Sequence, residues 1–254
     1  MIRTTCIAFA TLALSAGLAT AAETIGSAYA IAGSVTGTMS SAAPRLLSRG
    51  SDVHFRELIR ARAASNGQFR FVDGSRFVVG AGSEVVLDEF VFRGGASRVR
   101  LHMTKGALRF LGAGTRPGRD EVSITTPVAT VGIRGTVVDV THTAGRTAFL
   151  LLHGSAEVCR RGGGCRLVTT PCTSVMVEAG VSPLRRQDAA ALDAMFPLLR
   201  QQPSLWPDFR ASSTCGVAAE AQPPERGGGR GEGGGNGGLN GGGDGGGGTP
   251  GTKG

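Results

Sequence analysis

The sequence predicts an all-β domain with a short C-terminal helix and a disordered glycine-rich tail. Three observations carry that prediction. Apolar and polar residues alternate in short runs between about residues 30 and 180. Turn residues (Gly, Asp, Ser, Pro) punctuate those runs about every 8–12 residues, and helical periodicity is clear at one place only, after Ser182. Strands this short and evenly spaced suit a β-solenoid-like stack of rungs, the arrangement favoured here, with a β-sandwich as the alternative.

Phe69 and Phe71 alternate with Gln68 and Arg70 before a turn at Asp73-Gly74-Ser75. Phe77 and Val79 lead to a second turn at Gly80-Ala81-Gly82-Ser83, then come Val85, Leu87, Phe90 and Phe92. Val99, Leu101 and Met103 alternate with Arg98, Arg100 and His102, and Lys105-Gly106 reads as a turn after that strand. Leu108 and Phe110, then Val122 and Ile124, continue the pattern. Val138, Val140, Ala148, Leu150 and Leu152 complete the set, and the Ala144-Gly145 pair between Val140 and Phe149 suits a tight hairpin. The stretch HFRELIRARAA (54–64) reads either as a helix or as a strand with an irregular loop. A firmer helix starts with Ser182 as N-cap and Pro183 at the first position; it places Leu184, Ala191, Leu192 and Met195 on one face and ends at Pro197.

The two ends are different material. Arg3, the apolar run CIAFATLALSAGLA and Ala19-Thr20-Ala21 have the pattern of a secretory signal over residues 1–21, cleaved after Ala21 or Ala22. The apolar run is shorter than the roughly 20 residues of a spanning helix, so no integral membrane span is expected. From Arg226 to Gly254, 18 of 29 residues are Gly, too little apolar surface to offset ordering entropy. The expected organisation is a signal over 1–21, an all-β domain over 22–180, a helical, disulfide-tied segment over 181–225 and a disordered tail over 226–254.

Composition narrows the function classes. The 254 residues are 41% hydrophobic and 5% aromatic, with a formal net charge of +8. The cations are 25 Arg and 2 Lys, scattered rather than clustered, with one Tyr and one Trp, so nucleic acid is not an expected partner. Cys6 leaves with the signal. Cys159, Cys165, Cys172 and Cys215 remain, an even number that an exported chain uses as two disulfides. The C-R-R-G-G-G-C spacing favours Cys159–Cys165 across a hairpin tip, leaving Cys172–Cys215 to tie the C-terminal segment back. A zinc site built from all four cysteines is the rival, disfavoured because no C-x2-C knuckle occurs. His54, His102, His142 and His153 are scattered, and no G-x-S-x-G elbow or P-loop is present. Asp88-Glu89 and Asp120-Glu121 are adjacent pairs whose side chains point to opposite faces in a strand, unlike a catalytic carboxylate pair. No enzyme, cofactor or metal is expected.

The most specific string is TPVATVGIRGTVVDV (126–140). Pro127 marks a strand start or edge, and Gly132 and Gly135 flanking Ile133 and Arg134 suit a bulge or close backbone approach. Arg134 then either braces the turn against an acid such as Asp139 or Asp88, or anchors an acidic partner or ligand. Thr126-Pro127 followed by Gly132-Ile133-Arg134-Gly135-Thr136 resembles the signature of the FecR domain. FRFVDGSRFVVGAGSEVVLDEFVF (69–92), LHMTKGALRFLGAG (101–114) and FLLLHGSAEV (149–158) resemble its other segments in the expected order. The likeness covers about residues 50–178. Founding members of that family regulate iron uptake from the inner membrane, with this domain in the periplasm contacting an outer-membrane receptor. A signal peptide stands where those regulators have a cytoplasmic segment and a span. The resemblance therefore implies a free-standing, exported, periplasmic or secreted module that binds another envelope protein. Binding of a glycan at a surface or matrix is the alternative, disfavoured by the scarcity of aromatics.

Overall fold

The computed structural model describes residues 23–218, apart from 41, 94–95 and 114–120. The expected signal and the glycine-rich tail lie outside the described residues, as does Asp120. The protein is all-β: its strands join in one large sheet, and its short helices lie near the C-terminus. The early strands are β1 (Thr24–Ala32), β2 (Val35–Thr38), β3 (Arg45–Leu46), β4 (Asp52–His54), β5 (Leu58–Ala61), β6 (Asn66–Phe71) and β7 (Arg76–Val79). The later ones are β8 (Glu84–Arg93), β9 (Ala96–Leu111), β10 (Glu121–Thr125), β11 (Ala129–Thr143), β12 (Arg146–Arg160), β13 (Cys165–Val168), β14 (Thr173–Val177) and β15 (Arg185–Arg186). Named-strand pairings are antiparallel except β9 with β10.

Local chemistry explains the turns. Asp73 accepts hydrogen bonds from the main-chain N–H and hydroxyl of Ser75, at 2.9 and 2.6 Å, around Gly74 at φ 87°. Ala144 and Gly145 have φ of 51° and 75°, the left-handed pair of a two-residue hairpin turn between β11 and β12. The stretch 54–64 is strand and irregular loop: β4 ends at His54, Arg56 turns the chain at φ 61°, and β5 follows.

Three strands run 15 or 16 residues, longer than the punctuation suggested. The reason is that glycines sit inside these strands instead of ending them, among them the one read as a turn. Gly106 is not a turn after a strand. It lies within β9 at φ 96°, beside a register shift against β8. Gly135 and Gly154, at φ 56° and 85°, occupy irregularities in the β11–β12 ladder. Bulges of this kind bend strands while letting the ladder continue. A straight 15-residue strand would span about 50 Å. Yet Thr147, near one end of β12, and Arg161, just past the other, both touch the turn at residues 126–128. The Thr147 and Thr126 hydroxyls lie 2.8 Å apart, and the Arg161 N–H donates to the Val128 carbonyl at 2.9 Å. The sheet is folded on itself.

Its inner face holds the main core, including Phe69, Phe77, Leu101, Phe110, Ile124, Val131, Val140, Phe149 and Val158. Part of the outer face is also apolar, and the C-terminal segment covers it. Leu192 and Phe196 pack on Leu150 and Leu152, and Leu198 and Phe209 pack on Val78 and Ala107. Burying each such side chain stabilises by about 1.5–3 kcal/mol. The helix there starts later than Ser182. Helix α1 (Ala189–Met195) is capped by Asp188, whose carboxylate accepts from the Ala191 N–H at 2.8 Å. Ser182 instead accepts from the Met176 N–H at 2.9 Å, Arg185–Arg186 form β15, and Leu184 is exposed. Local pairing to β14 outcompeted the Ser-Pro start. Pro197 ends α1 and opens α2 (Pro197–Arg200). Among the described residues, no helix is long and apolar enough to cross a membrane.

Candidate functional site

The signature lies where the sheet bends. Thr126 closes the β10–β11 turn: its hydroxyl accepts from the Ala129 N–H at 2.9 Å, and its main-chain N–H donates to the Ala129 carbonyl at 2.8 Å. The Thr147 hydroxyl beside it also contacts His142 Nδ1 at 2.9 Å. Burial pushes the His142 imidazole below the ordinary histidine range, opposed by a hydrogen bond involving the Arg146 main chain. His153 is exposed, and no described contact joins it to His142.

Alternation then assigns the signature residues. Val131 and Ile133 point into the core, so Gly132 and Arg134 take the outer face. At Gly135 the chain enters the left-handed region that suits glycine. Thr136, buried at the bend, donates its hydroxyl to the Ser155 carbonyl at 2.8 Å and accepts from the Ser155 N–H at 3.3 Å. Opposite, a Cβ on Gly154 would lie 2.8 Å from the Gly135 carbonyl oxygen and 3.0 Å from the Thr136 Cα. The bend thus explains Gly135, Thr136 and Gly154, and the core explains Ile133. It does not explain Gly132 or Arg134. A Cβ on Gly132 would meet nothing nearer than the Glu157 carbonyl at 4.0 Å. The Arg134 side chain is exposed and makes no hydrogen bond or ion pair among the described residues.

These two residues sit on a charged part of the outer face, where Arg134 is exposed. Ser123 and Glu157 stand opposite Gly132 on its two neighbouring strands, and Ser155 stands opposite Arg134. Farther across, Arg98 pairs with Glu121 at 2.9 Å and Arg100 with Glu89 at 2.9 Å. Asp88 is exposed, while Glu89 is held by Arg100, so the adjacent carboxylates are not brought together.

Asp139 is not the partner of Arg134. It is buried and holds Arg109, which donates to both its oxygens at 2.7 and 2.8 Å and to Gln202 Oε1 at 2.7 Å. This network joins the sheet to the covering segment. Its signal was present in the sequence: Arg109 and Asp139 each interrupt an apolar strand at a position where the neighbours are buried.

The cysteines pair as expected, Cys159–Cys165 with Cα atoms 4.0 Å apart and Cys172–Cys215 at 5.4 Å. Glu157 lies near the first pair, whose sulfurs are committed to each other rather than to a metal. The second closes a separation of 43 residues, worth about 4 kcal/mol on the chain-entropy account.

With the bend, the open face and the buried network in place, the family match has a structural meaning. Residues 57–157 match the family model described as FecR protein. The chain carries a FecR domain. The matched FecR residues include the Arg109–Asp139 pair, the bend and Arg134, whereas the covering segment and the Cys172–Cys215 pair lie beyond them. Two crystal structures of a candidate anti-sigma factor from Parabacteroides distasonis ATCC 8503, at 1.65 and 2.50 Å resolution, are similar to it at 17% identity with a TM-score of 0.44. Each match covers 54% of this chain, which spans 63% and 62% of theirs. No curated protein matches the chain.

Proposed function

We propose that this FecR-domain protein is a non-catalytic, signal-sensing module of the cell envelope that binds another protein through the open face around Gly132 and Arg134. The observation that carries the reading is the division of the signature: Ile133, Gly135 and Thr136 serve the fold, whereas Gly132 and Arg134 face solvent unused. A bare glycine beside an unpaired guanidinium lets a partner's backbone approach closely while its carboxylate or carbonyl receives a fork of hydrogen bonds. The mixed charges of Arg98, Arg100, Glu121 and Glu157 around it favour a specific partner over any acidic surface. The two disulfides and the signal-like residues 1–21 support an exported location, periplasmic or extracellular.

The test is capture from detergent-solubilised envelope extract on immobilised residues 22–254, with Arg134→Ala alongside. A receptor or sensor held by the wild type and lost with the variant supports the reading. A partner retained equally by both makes Arg134 irrelevant to binding.

Glycan binding at a surface has one observation in its favour. Tyr29 and Trp206 meet edge to face with ring centroids 5.5 Å apart, under Arg49 at 5.8 and 5.4 Å. Retention on envelope polysaccharide that Trp206→Ala abolishes and Arg134→Ala leaves intact would favour that reading instead.

A further inference from the structure

We propose that the crevice between the Cys159–Cys165 tip and the turn at residues 179–181 is a binding site for a phosphate-bearing anion. The crevice has a volume of about 510 Å³ and is lined by Arg160, Arg166, the glycines 162–164 and the turn at 179–181. Pairing decides where the two arginines point. Val158 is opposite Arg166, and the Arg160 N–H donates to the Gly164 carbonyl at 2.9 Å. Opposed residues share a face, and so do residues two apart. Arg160 and Arg166 therefore project from the inner face, as Val158 does, just beyond the core and towards the facing half of the folded sheet.

Three features make this a site for an anion rather than a solvated basic tip. First, no carboxylate lines the crevice among the described residues: Glu157, beside the disulfide, stands on the opposite face of β12 from Arg160, and Glu178 is drawn to Arg146 at 3.4 Å. Second, neither Arg160 nor Arg166 makes a side-chain hydrogen bond or ion pair among the described residues, so both forks are available. Third, Gly162, Gly163 and Gly164 follow one another at φ of 90°, 121° and 82°. They leave bare main chain on the rim, and side chains at the first two positions would meet nothing within 4 Å. Two planar guanidinium forks match the several oxygens of a phosphate better than a single carboxylate. The disulfide holds the tip that carries them.

The phosphate can belong to a lipid headgroup or be free, and one experiment separates these sources. The chain 22–254 is incubated with vesicles of phosphatidylglycerol and phosphatidylcholine in equal parts, with vesicles of phosphatidylcholine alone, and with millimolar inorganic phosphate as a competitor. The expected result is retention on the anionic vesicles, weakened about tenfold or more by Arg160→Gln with Arg166→Gln. Arg62→Gln with Arg93→Gln removes the same two charges from exposed positions elsewhere and should change binding less than about threefold. Displacement by inorganic phosphate identifies the free ion as sufficient. Site-dependent retention without displacement identifies the headgroup. Equal weakening by both double variants, or retention on neither vesicle with no saturable phosphate binding, overturns the proposal.

Discussion

Three glycine-to-alanine substitutions should separate the strain of the bend from ordinary glycine effects. Gly132 has an extended backbone and open space, so Gly132→Ala should stay within about 0.5 kcal/mol of the parent. Gly145 has φ 75° and nothing within 4 Å of where a Cβ would sit, so alanine there meets only the left-handed backbone, costing about 1 kcal/mol. Gly154 combines φ 85° with contacts of 2.8 Å to the Gly135 carbonyl oxygen and 3.0 Å to the Thr136 Cα. Those atoms are main chain, held by the Thr136–Ser155 hydrogen bonds, and can yield only by opening the bend. The expected cost is about 3 kcal/mol, in the range of backbone strain added to overpacking. Urea unfolding with the disulfides intact measures all three, and the slope should be unchanged while the midpoint moves. A Gly154→Ala cost equal to that of Gly145→Ala would refute the close approach at the bend.

Other consequences follow from the buried groups. Asp139→Ala strands the Arg109 charge and should cost about 3–5 kcal/mol, while Arg109→Met with Asp139→Leu should recover most of that in the same unfolding assay. Since burial lowers the His142 pKa, the unfolded chain binds a proton that the folded one resists. Stability is therefore expected to be fully present above the ordinary histidine pKa and to fall as pH drops through it; unfolding midpoints of wild type and His142→Gln across that window should show the slope in the wild type alone. Reduction of the disulfides should raise amide exchange across residues 159–215 while residues 131–140 stay protected, and simultaneous loss of both would show that the sheet depends on the clamp.

Much of this fold was legible because strand alternation is a local signal. Phe69, Phe77, Val99, Leu101 and Val140 all read correctly as inward-facing, and the Ala144-Gly145 hairpin follows from two residues. The tip disulfide was legible for the same reason, from three glycines between two cysteines. The strand lengths were not, because Lys105-Gly106 looks like a turn, and only the facing strand reveals that glycine beside a bulge in a continuous ladder. The helix start at Asp188 was hidden by a plausible Ser-Pro cap that β14 recruits for pairing instead. Arg134 stood out within its motif, but its nearest acid in sequence, Asp139, belongs to Arg109, which is 30 residues away. Such a pairing depends on β9 lying beside β11, a non-local fact.

Whether Gly132 and Arg134 form the contact surface can be read by site-specific photo-crosslinking. A benzophenone side chain replaces Ser123, which stands opposite Gly132, or Arg62 as a distant exposed control, in cells making the full chain. A discrete protein adduct is expected from position 123 that disappears when Arg134→Ala is added, and none from position 62. An adduct from 123 that survives Arg134→Ala, or adducts from 62 alone, would contradict that contact surface.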